Sequence, residues 1–136
     1  MFDFLIKLKL KKIMKKMEVV ALLLISVLLG VFGQLSLKQG MKNVGNFEIG
    51  DFASSKIFKL IEEKFVIIGI VLYAIATLFW LVILSKAELS FAYPLLALGY
   101  VLIAIFSKIL LNENVTIIRF LGILLISIGV FLLLRS

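Results

Sequence analysis

The sequence predicts an all-α membrane protein with four transmembrane helices. Of its 136 residues, 63% are hydrophobic, and the mean hydropathy is +1.22. A water-soluble domain of this length leaves much of its surface facing water, so it cannot hide this amount of apolar side chain. In addition, four separate segments approach the roughly 20 apolar residues that a helix needs to cross a bilayer. We therefore expect part of the solvent around this chain to be lipid.

Only a helix satisfies all of its backbone hydrogen bonds within one segment in lipid, so each apolar segment is predicted to be a helical span. The predicted spans cover residues 19–37, 65–84, 91–111 and 117–134. Short connections between the last three spans make them antiparallel neighbours in a predicted domain of residues 18–136. Basic residues divide eight against seven between the two sides of the membrane, so the orientation stays open.

Residues 1–17 precede the first span as a basic tail with six lysines among apolar side chains. This pattern predicts an amphipathic helix at the membrane interface. Because the basic residues flank apolar segments, the expected partner is anionic membrane lipid and not nucleic acid. The tail has no long apolar region with a cleavage site, so we expect no cleaved signal peptide. Met1, Met14 and Met17 are alternative starts of the chain.

The connection between the first two spans ends in the sequence SSKIFKLIEEKF. Its residues Ile57, Phe58 and Ile61 share one helical face, while the charged side chains lie elsewhere. Two interpretations remain open on so short a pattern. One is a short amphipathic helix on the membrane surface, and the other is an N-terminal extension of the second span.

The residue types that carry most enzymatic and metal chemistry are missing from the spans. The chain has no histidine and no cysteine, and no Asp or Glu lies in the middle of a predicted span. The usual ligands of transition metals are therefore absent, as is the buried carboxylate that exchanges cations for protons. Hydroxyl groups remain, but without a recognisable acid or base partner. We expect no catalytic residue, no metal, no cofactor and no enzymatic activity.

Polar residues, most of them uncharged, define a candidate substrate site in the spans and at the end of the first one. Gln34 and Lys38 follow Gly30 at intervals of four, so the three form one stripe on the first helix. The third span contributes Tyr93 and Tyr100. One interpretation is a polar groove between helices. The other is that these residues form hydrogen bonds between helices or anchor the chain at the interface.

Cationic residues at the helix ends extend this candidate site. Lys38, Lys64, Lys108 and Arg119 all fall at one membrane face when the helices alternate in direction. Such a group could hold an anionic phosphate head group, or its members could extend individually to the interface. Lys108 and Arg119 lie deepest and, with Lys38, are the predicted phosphate ligands.

Two glycines predict how the chain assembles. Gly122 and Gly129 lie seven residues apart, and thus on one face of the fourth helix. Missing side chains let a second helix approach closely in lipid, so we expect a dimer through this face. Four helices do not easily enclose a path for a large head group, whereas two copies can form one between them.

The segment SFAYPLLALGYVLIAIFSKILLNENVTIIRFLGILLISIGVFLL resembles the second half of small multidrug resistance proteins. It is also similar to an EamA-type repeat of the drug/metabolite transporter superfamily. The matching features are Ala92-Tyr93, the Asn112-Glu113 turn and the glycine pair. GVFGQLSLKQG is similar to the end of the family's first helix and places Lys38 at the family's lysine position. Over about residues 19–135 the resemblance implies a small multidrug resistance-like bundle that pairs through its last helix, as a homodimer or as a heterodimer with a paralogue.

One departure from that family points to a particular branch of it. The multidrug exporters carry a glutamate eight residues before the lysine, and this chain has Gly30 there. The glutamate-free branch of aminoarabinose–undecaprenyl phosphate flippase subunits is similar at Gly33-Gln34-Leu35, Lys38-Gln39 and Phe91-Ala92-Tyr93-Pro94. That resemblance implies a cell-membrane protein that flips a lipid-linked sugar or polyprenyl phosphate between leaflets. Export of small cations or drugs, and an accessory role beside a membrane glycosyltransferase, are the alternatives.

Overall fold

The computed structural model of the protein describes residues 1–135, which form six α-helices and one short 3-10 helix at Ile49–Ala53. The α-helices are α1 (Phe2–Val44), α2 (Lys56–Glu62), α3 (Lys64–Lys86), α4 (Leu89–Leu96), α5 (Leu98–Leu111) and α6 (Ile117–Arg135). Helices α1, α3 and α6, and the pair α4–α5, are each long and apolar enough to cross a membrane. The prediction of an all-α, multi-pass membrane protein with four spans is therefore confirmed.

Helix α1 is much longer than the predicted first span of residues 19–37. Its 43 residues extend about 65 Å, roughly twice the thickness of the hydrocarbon core. The first 29 residues contain neither Gly nor Pro and consist largely of Leu, Lys, Met and Val. Most of these are strong helix formers, so nothing ends the helix at the expected boundary between the tail and the span. The division of the chain at residues 17 and 18 stays a prediction.

Helices α1 and α3 form a close antiparallel pair. A Cβ atom on Gly33 would lie 3.1 Å from the carbonyl oxygen of Gly69, and one on Gly40 would lie 2.6 Å from Cγ2 of Val66. Further along the pair, the Ser26 hydroxyl donates to the carbonyl oxygen of Ala76 over 3.0 Å. Small residues thus allow the two backbones to approach, as is typical of helix pairs in lipid.

The remaining spans pack on this pair through two apolar clusters. The first joins Leu23 and Ile83 to Ala92, Leu95 and Val130, so it holds all four spans together at one end of the bundle. The second packs one face of α1, around Val31, against side chains of α4 and α5. Among the described residues of α6, only Val130 is buried, and the helix is the most peripheral of the four.

The third span is interrupted three residues after Pro94. Proline removes one helical N–H and crowds the preceding turn. The helix continues to Leu96 and is interrupted at Ala97, whose N–H donates to the carbonyl oxygen of Pro94. Helix α5 resumes at Leu98. The span predicted at 91–111 is therefore two helices in sequence, α4 and α5.

The connection between α1 and α3 contains an independent short helix. Helix α2 is separated from α3 by Glu63, whose backbone is extended (φ −73°, ψ 113°). The stretch is therefore not an extension of the second span. Before it, the Asp51 carboxylate accepts hydrogen bonds from the backbone N–H of Glu48 and the Lys56 ammonium. These two bonds, the backbone one first, lower the pKa of Asp51 below its usual value.

Candidate functional site

A groove of about 280 Å³ lies between α1, α3 and the α4–α5 span at membrane depth. Gly30 and Gln34 line it from α1, one helical turn apart. Tyr93 and Tyr100 line it from α4 and α5, and their side chains are more than half exposed. The groove is therefore open on one side. Three of the predicted site residues, Gln34, Tyr93 and Tyr100, meet here.

Aromatic side chains from α3 and α4 form one wall of the groove. The rings of Trp80 and Tyr93 pack edge to face, with their centroids 5.5 Å apart and an interplanar angle of 75°. Such pairs stabilise one another by about 0.5–1.5 kcal/mol beyond their area burial. Tyr73 continues this wall along α3. The contact with Trp80 orients the ring of Tyr93, which remains more than half exposed.

Some polar groups of the groove already form hydrogen bonds within the chain, and others do not. The Thr77 hydroxyl donates to the carbonyl oxygen of Tyr73 in its own helix over 2.9 Å, and Ser26 bonds Ala76 as described above. By contrast, the side chains of Gln34, Tyr93 and Tyr100 form no hydrogen bond with any other residue in the described part of the chain, 1–135. These three can therefore both donate to and accept from a bound molecule.

No charged side chain is among the residues that line the groove. Gly30 is the lining position at which the resemblance to multidrug exporters would place a glutamate. A Cβ atom added to Gly30 would meet nothing within 4 Å. The site thus has room for a longer side chain and lacks one. An uncharged, partly aromatic surface of this kind suits a neutral polar group, such as a sugar ring, better than a lone cation.

The predicted cations lie beyond one end of the groove. Lys38 follows Gln34 by one turn, and its ammonium lies 3.6 Å from a carboxylate oxygen of Glu113 in the α5–α6 connection. The guanidinium of Arg119 donates to the carbonyl oxygen of Asn114 in the same connection over 3.1 Å. Both side chains are exposed, and Lys108 lies in the last turn of α5. The structure therefore brings Lys38 and Arg119 to one turn, while none of the three cations lines the groove itself.

The glycines predicted to form an interface are open in the single chain. Added Cβ atoms on Gly122 and Gly129 would each meet nothing within 4 Å. Neither residue therefore has a packing role within one subunit. Their function in a dimer stays a prediction.

Several lining residues were not among the predicted site residues. Trp80 and Tyr73 were recognisable as polar aromatics in the second span, but only the rotation of α3 against α1 shows that they face the groove. Ser26 and Ala76 gave no signal because small residues are common in membrane helices. The sequence indicates Glu113 only as part of a turn. Its ion pair with Lys38 joins residues 75 positions apart, and no local sequence pattern predicts such a contact.

The chain is similar to a known protein family and to named proteins of several bacteria. The EamA-like transporter family matches residues 50–135. A protein of Photorhabdus laumondii named as a probable 4-amino-4-deoxy-L-arabinose-phosphoundecaprenol flippase subunit ArnF is 33% identical over 120 residues, covering 82% of this chain and 93% of the relative. A protein of the same name in Serratia proteamaculans is 35% identical over 112 residues, covering 79% and 85%.

A protein of Pseudomonas syringae named as the probable subunit ArnE of such a flippase is 41% identical over 59 residues, covering 43% of this chain and 55% of the relative. No solved structure matches the chain. The resemblance seen in the sequence to EamA-type transporters and to flippase subunits is confirmed by these matches.

Proposed function

This chain belongs to the EamA-like transporter family, and from that premise we propose that it moves a lipid-linked sugar or a polyprenyl phosphate between the leaflets of the cell membrane. The observation that carries the proposal is the charge-free groove whose stripe on α1 ends at Lys38. Gln34 lines the groove, and Lys38 lies one turn further along the same face. A neutral polar region followed by a cation matches a sugar joined to a phosphate.

The groove offers contacts suited to the head group. Gln34, Tyr93 and Tyr100 present an amide and two phenol groups that can bond sugar hydroxyls. The aromatic faces can pack on the less polar face of a sugar ring. The volume of about 280 Å³ is near the lower end of small-molecule sites, which begin at about 300 Å³. The groove therefore suits one head group, and its open side leaves the polyprenyl chain in lipid.

Lys38 is the proposed first ligand of the phosphate, with Lys108 and Arg119 as further cations at the same end. Lys38 is paired with Glu113, but both side chains are partly exposed, at 56% and 36%. An ion pair of this kind contributes only about 0–1 kcal/mol. A phosphate group can therefore replace Glu113 as the partner of Lys38 at little cost.

We further propose that the working unit is a dimer, with itself or with a paralogue, that uses the α6 face of Gly122 and Gly129. Both positions are open in the single chain, and α6 is the least buried span. In lipid, close backbone packing and not hydrophobicity drives helix association. The proposed role involves no covalent step, which agrees with a chain whose relatives are named as flippase subunits.

The direct experiment is reconstitution into liposomes with a labelled polyprenyl phosphate whose leaflet is read by a membrane-impermeant reagent. We expect exchange between leaflets to be faster than in empty liposomes. Exchange at the rate of empty liposomes would overturn the proposal. If the chain instead acted as an accessory subunit, exchange would also be absent, but the chain would copurify with a partner enzyme.

Export of a small organic cation is the second candidate, because Trp80, Tyr93 and Tyr100 can bind a cation through their ring faces. No carboxylate lines the groove to complete such a site. Uptake of a labelled quaternary ammonium into the same liposomes separates the two functions. Uptake of the cation without exchange of the lipid would favour this candidate.

A further inference from the structure

A second cavity lies at the opposite end of the bundle from Lys38. Its volume is about 590 Å³, and it opens where α1 passes the end of α3 and the start of α4. Lys12, Lys15 and Lys16 line it from α1, and Lys86 lines it from the end of α3. The cavity shares no lining residue with the groove, so it is a separate site.

These lysines continue the packing face of α1. Positions 12, 15, 16, 19 and 23 fall on one side of a helix with 3.6 residues per turn. Val19 and Leu23 on this side are 4% and 2% exposed and belong to the apolar core. The face of α1 that packs against neighbouring helices at Val19 and Leu23 therefore carries lysines one helical turn earlier in the chain. These lysines are exposed, and they line the cavity beside the ends of the neighbouring spans.

Positive charge in this cavity exceeds negative charge. Lys86 is paired with Glu18, and Glu88 is the carboxylate that remains in the lining. Lys12, Lys15 and Lys16 form no ion pair with any group in residues 1–135. The Lys16 ammonium lies 5.2 Å from the centre of the Phe91 ring, which holds it over the cavity floor.

The position of the cavity identifies the class of anion. Helix α3 ends at Lys86 and α4 begins at Leu89. The cavity therefore lies where the spans leave the hydrocarbon core, which is the level of lipid head groups. Val19 and Phe91 give it an apolar floor beside the lysines. A phosphate group attached to an apolar chain fits both the lysines and the apolar floor of the cavity.

We infer that this cavity binds the phosphate group of an anionic phospholipid, with Lys12, Lys15 and Lys16 as its ligands. Free phosphate and the phosphate of a transported lipid share the same chemistry. The apolar floor distinguishes a phospholipid from the free ion, and the separation from the groove distinguishes it from the transported lipid. The inference does not depend on the proposed transport.

The test compares two triple variants that remove equal charge from the same tail. The site variant is Lys12→Gln, Lys15→Gln and Lys16→Gln, and the control variant is Lys7→Gln, Lys9→Gln and Lys11→Gln. None of the control lysines lines the cavity. Full-length protein in detergent is titrated with phosphatidylglycerol, and bound lipid is counted by native mass spectrometry. We expect the site variant to bind about tenfold more weakly or worse, and the control variant to change by less than about threefold.

Four other outcomes would overturn the inference. Equal losses in both variants would mean that the lipid is attracted by the tail's charge as a whole. No loss in either would mean that the cavity holds no phospholipid. Displacement by millimolar inorganic phosphate would identify a free-anion site, and displacement by a polyprenyl phosphate would assign the cavity to the transported lipid. Retention of phosphatidylglycerol against both competitors supports the inference.

Discussion

The Lys38 ammonium and the Glu113 carboxylate lie 3.6 Å apart, so the lysine at the end of the groove is already held by an acid from the α5–α6 connection. The pair joins the end of the α1 span to the turn before α6. Both side chains are partly exposed, so the pair is a weak one. A phosphate that enters must compete with Glu113 for Lys38.

Replacement of Glu113 by Gln removes that competitor and should strengthen binding of a polyprenyl phosphate. The gain is limited to about fivefold, because an exposed ion pair contributes at most about 1 kcal/mol. Titration of the reconstituted protein with a labelled lipid measures it. Glu62→Gln is the control, since Glu62 is an exposed acid outside the ion pairs found in residues 1–135. Weaker binding by Glu113→Gln would show that Glu113 positions Lys38 and does not compete for it.

Gly30 offers a test of why the groove carries no charge. Because an added Cβ meets nothing within 4 Å, both Gly30→Glu and Gly30→Gln should fold. A carboxylate there would face the incoming phosphate, and like charges in a partly desolvated site repel by more than about 1.4 kcal/mol. We expect Gly30→Glu to exchange the lipid at least about tenfold more slowly than Gly30→Gln. Equal rates in the two variants would mean that the phosphate does not pass this position.

The α1–α3 pair should be sensitive to a single methyl group at its closest approach. A Cβ on Gly69 would lie 2.8 Å from the carbonyl oxygen of Gly33 and 2.6 Å from Cγ of Leu37. We expect Gly69→Ala to destabilise the protein by about 1–3 kcal/mol. Gly30→Ala is the matched control and should be neutral or stabilising by up to about 1 kcal/mol, since Gly is a poor helix former. Unfolding in mixed micelles measures both, and equal stability would contradict the packing described.

Hydropathy located all four spans because lipid leaves few alternatives to an apolar helix of about 20 residues. It placed the helix ends less well, since the tail before Glu18 contains nothing that stops a helix. The site was predicted in part. Gln34, Tyr93 and Tyr100 were identifiable as polar residues in apolar spans, whereas the inward position of Trp80 depends on how α3 rotates against α1. Contacts across the fold, such as that between Lys38 and Glu113, leave no pattern in one sequence.

The dimer proposal is tested on α6. Gly122→Leu with Gly129→Leu adds two large side chains at positions where an added Cβ meets nothing within 4 Å, so we expect each subunit to insert and fold. In a dimer the same side chains would separate the helices. We expect the fraction of dimers, counted by single-molecule photobleaching, to fall together with lipid exchange. Phe120→Leu, on the opposite side of α6 and exposed, is the control. A double variant that remains dimeric and active would exclude this interface.

We propose that the groove and Lys38 together carry a phosphate-linked lipid across the membrane. The most direct measurement is the rate of leaflet exchange of labelled polyprenyl phosphate in liposomes that contain wild-type protein, Lys38→Gln or Lys59→Gln. Lys59 is an exposed lysine of α2 that lines neither cavity, so it controls for the loss of charge. We predict that Lys38→Gln slows exchange by about tenfold or more, as expected for the loss of a charged ligand, and that Lys59→Gln changes it by less than about twofold. Wild-type exchange no faster than that of empty liposomes, or equal rates for Lys38→Gln and the wild type, would contradict this role of the groove and Lys38.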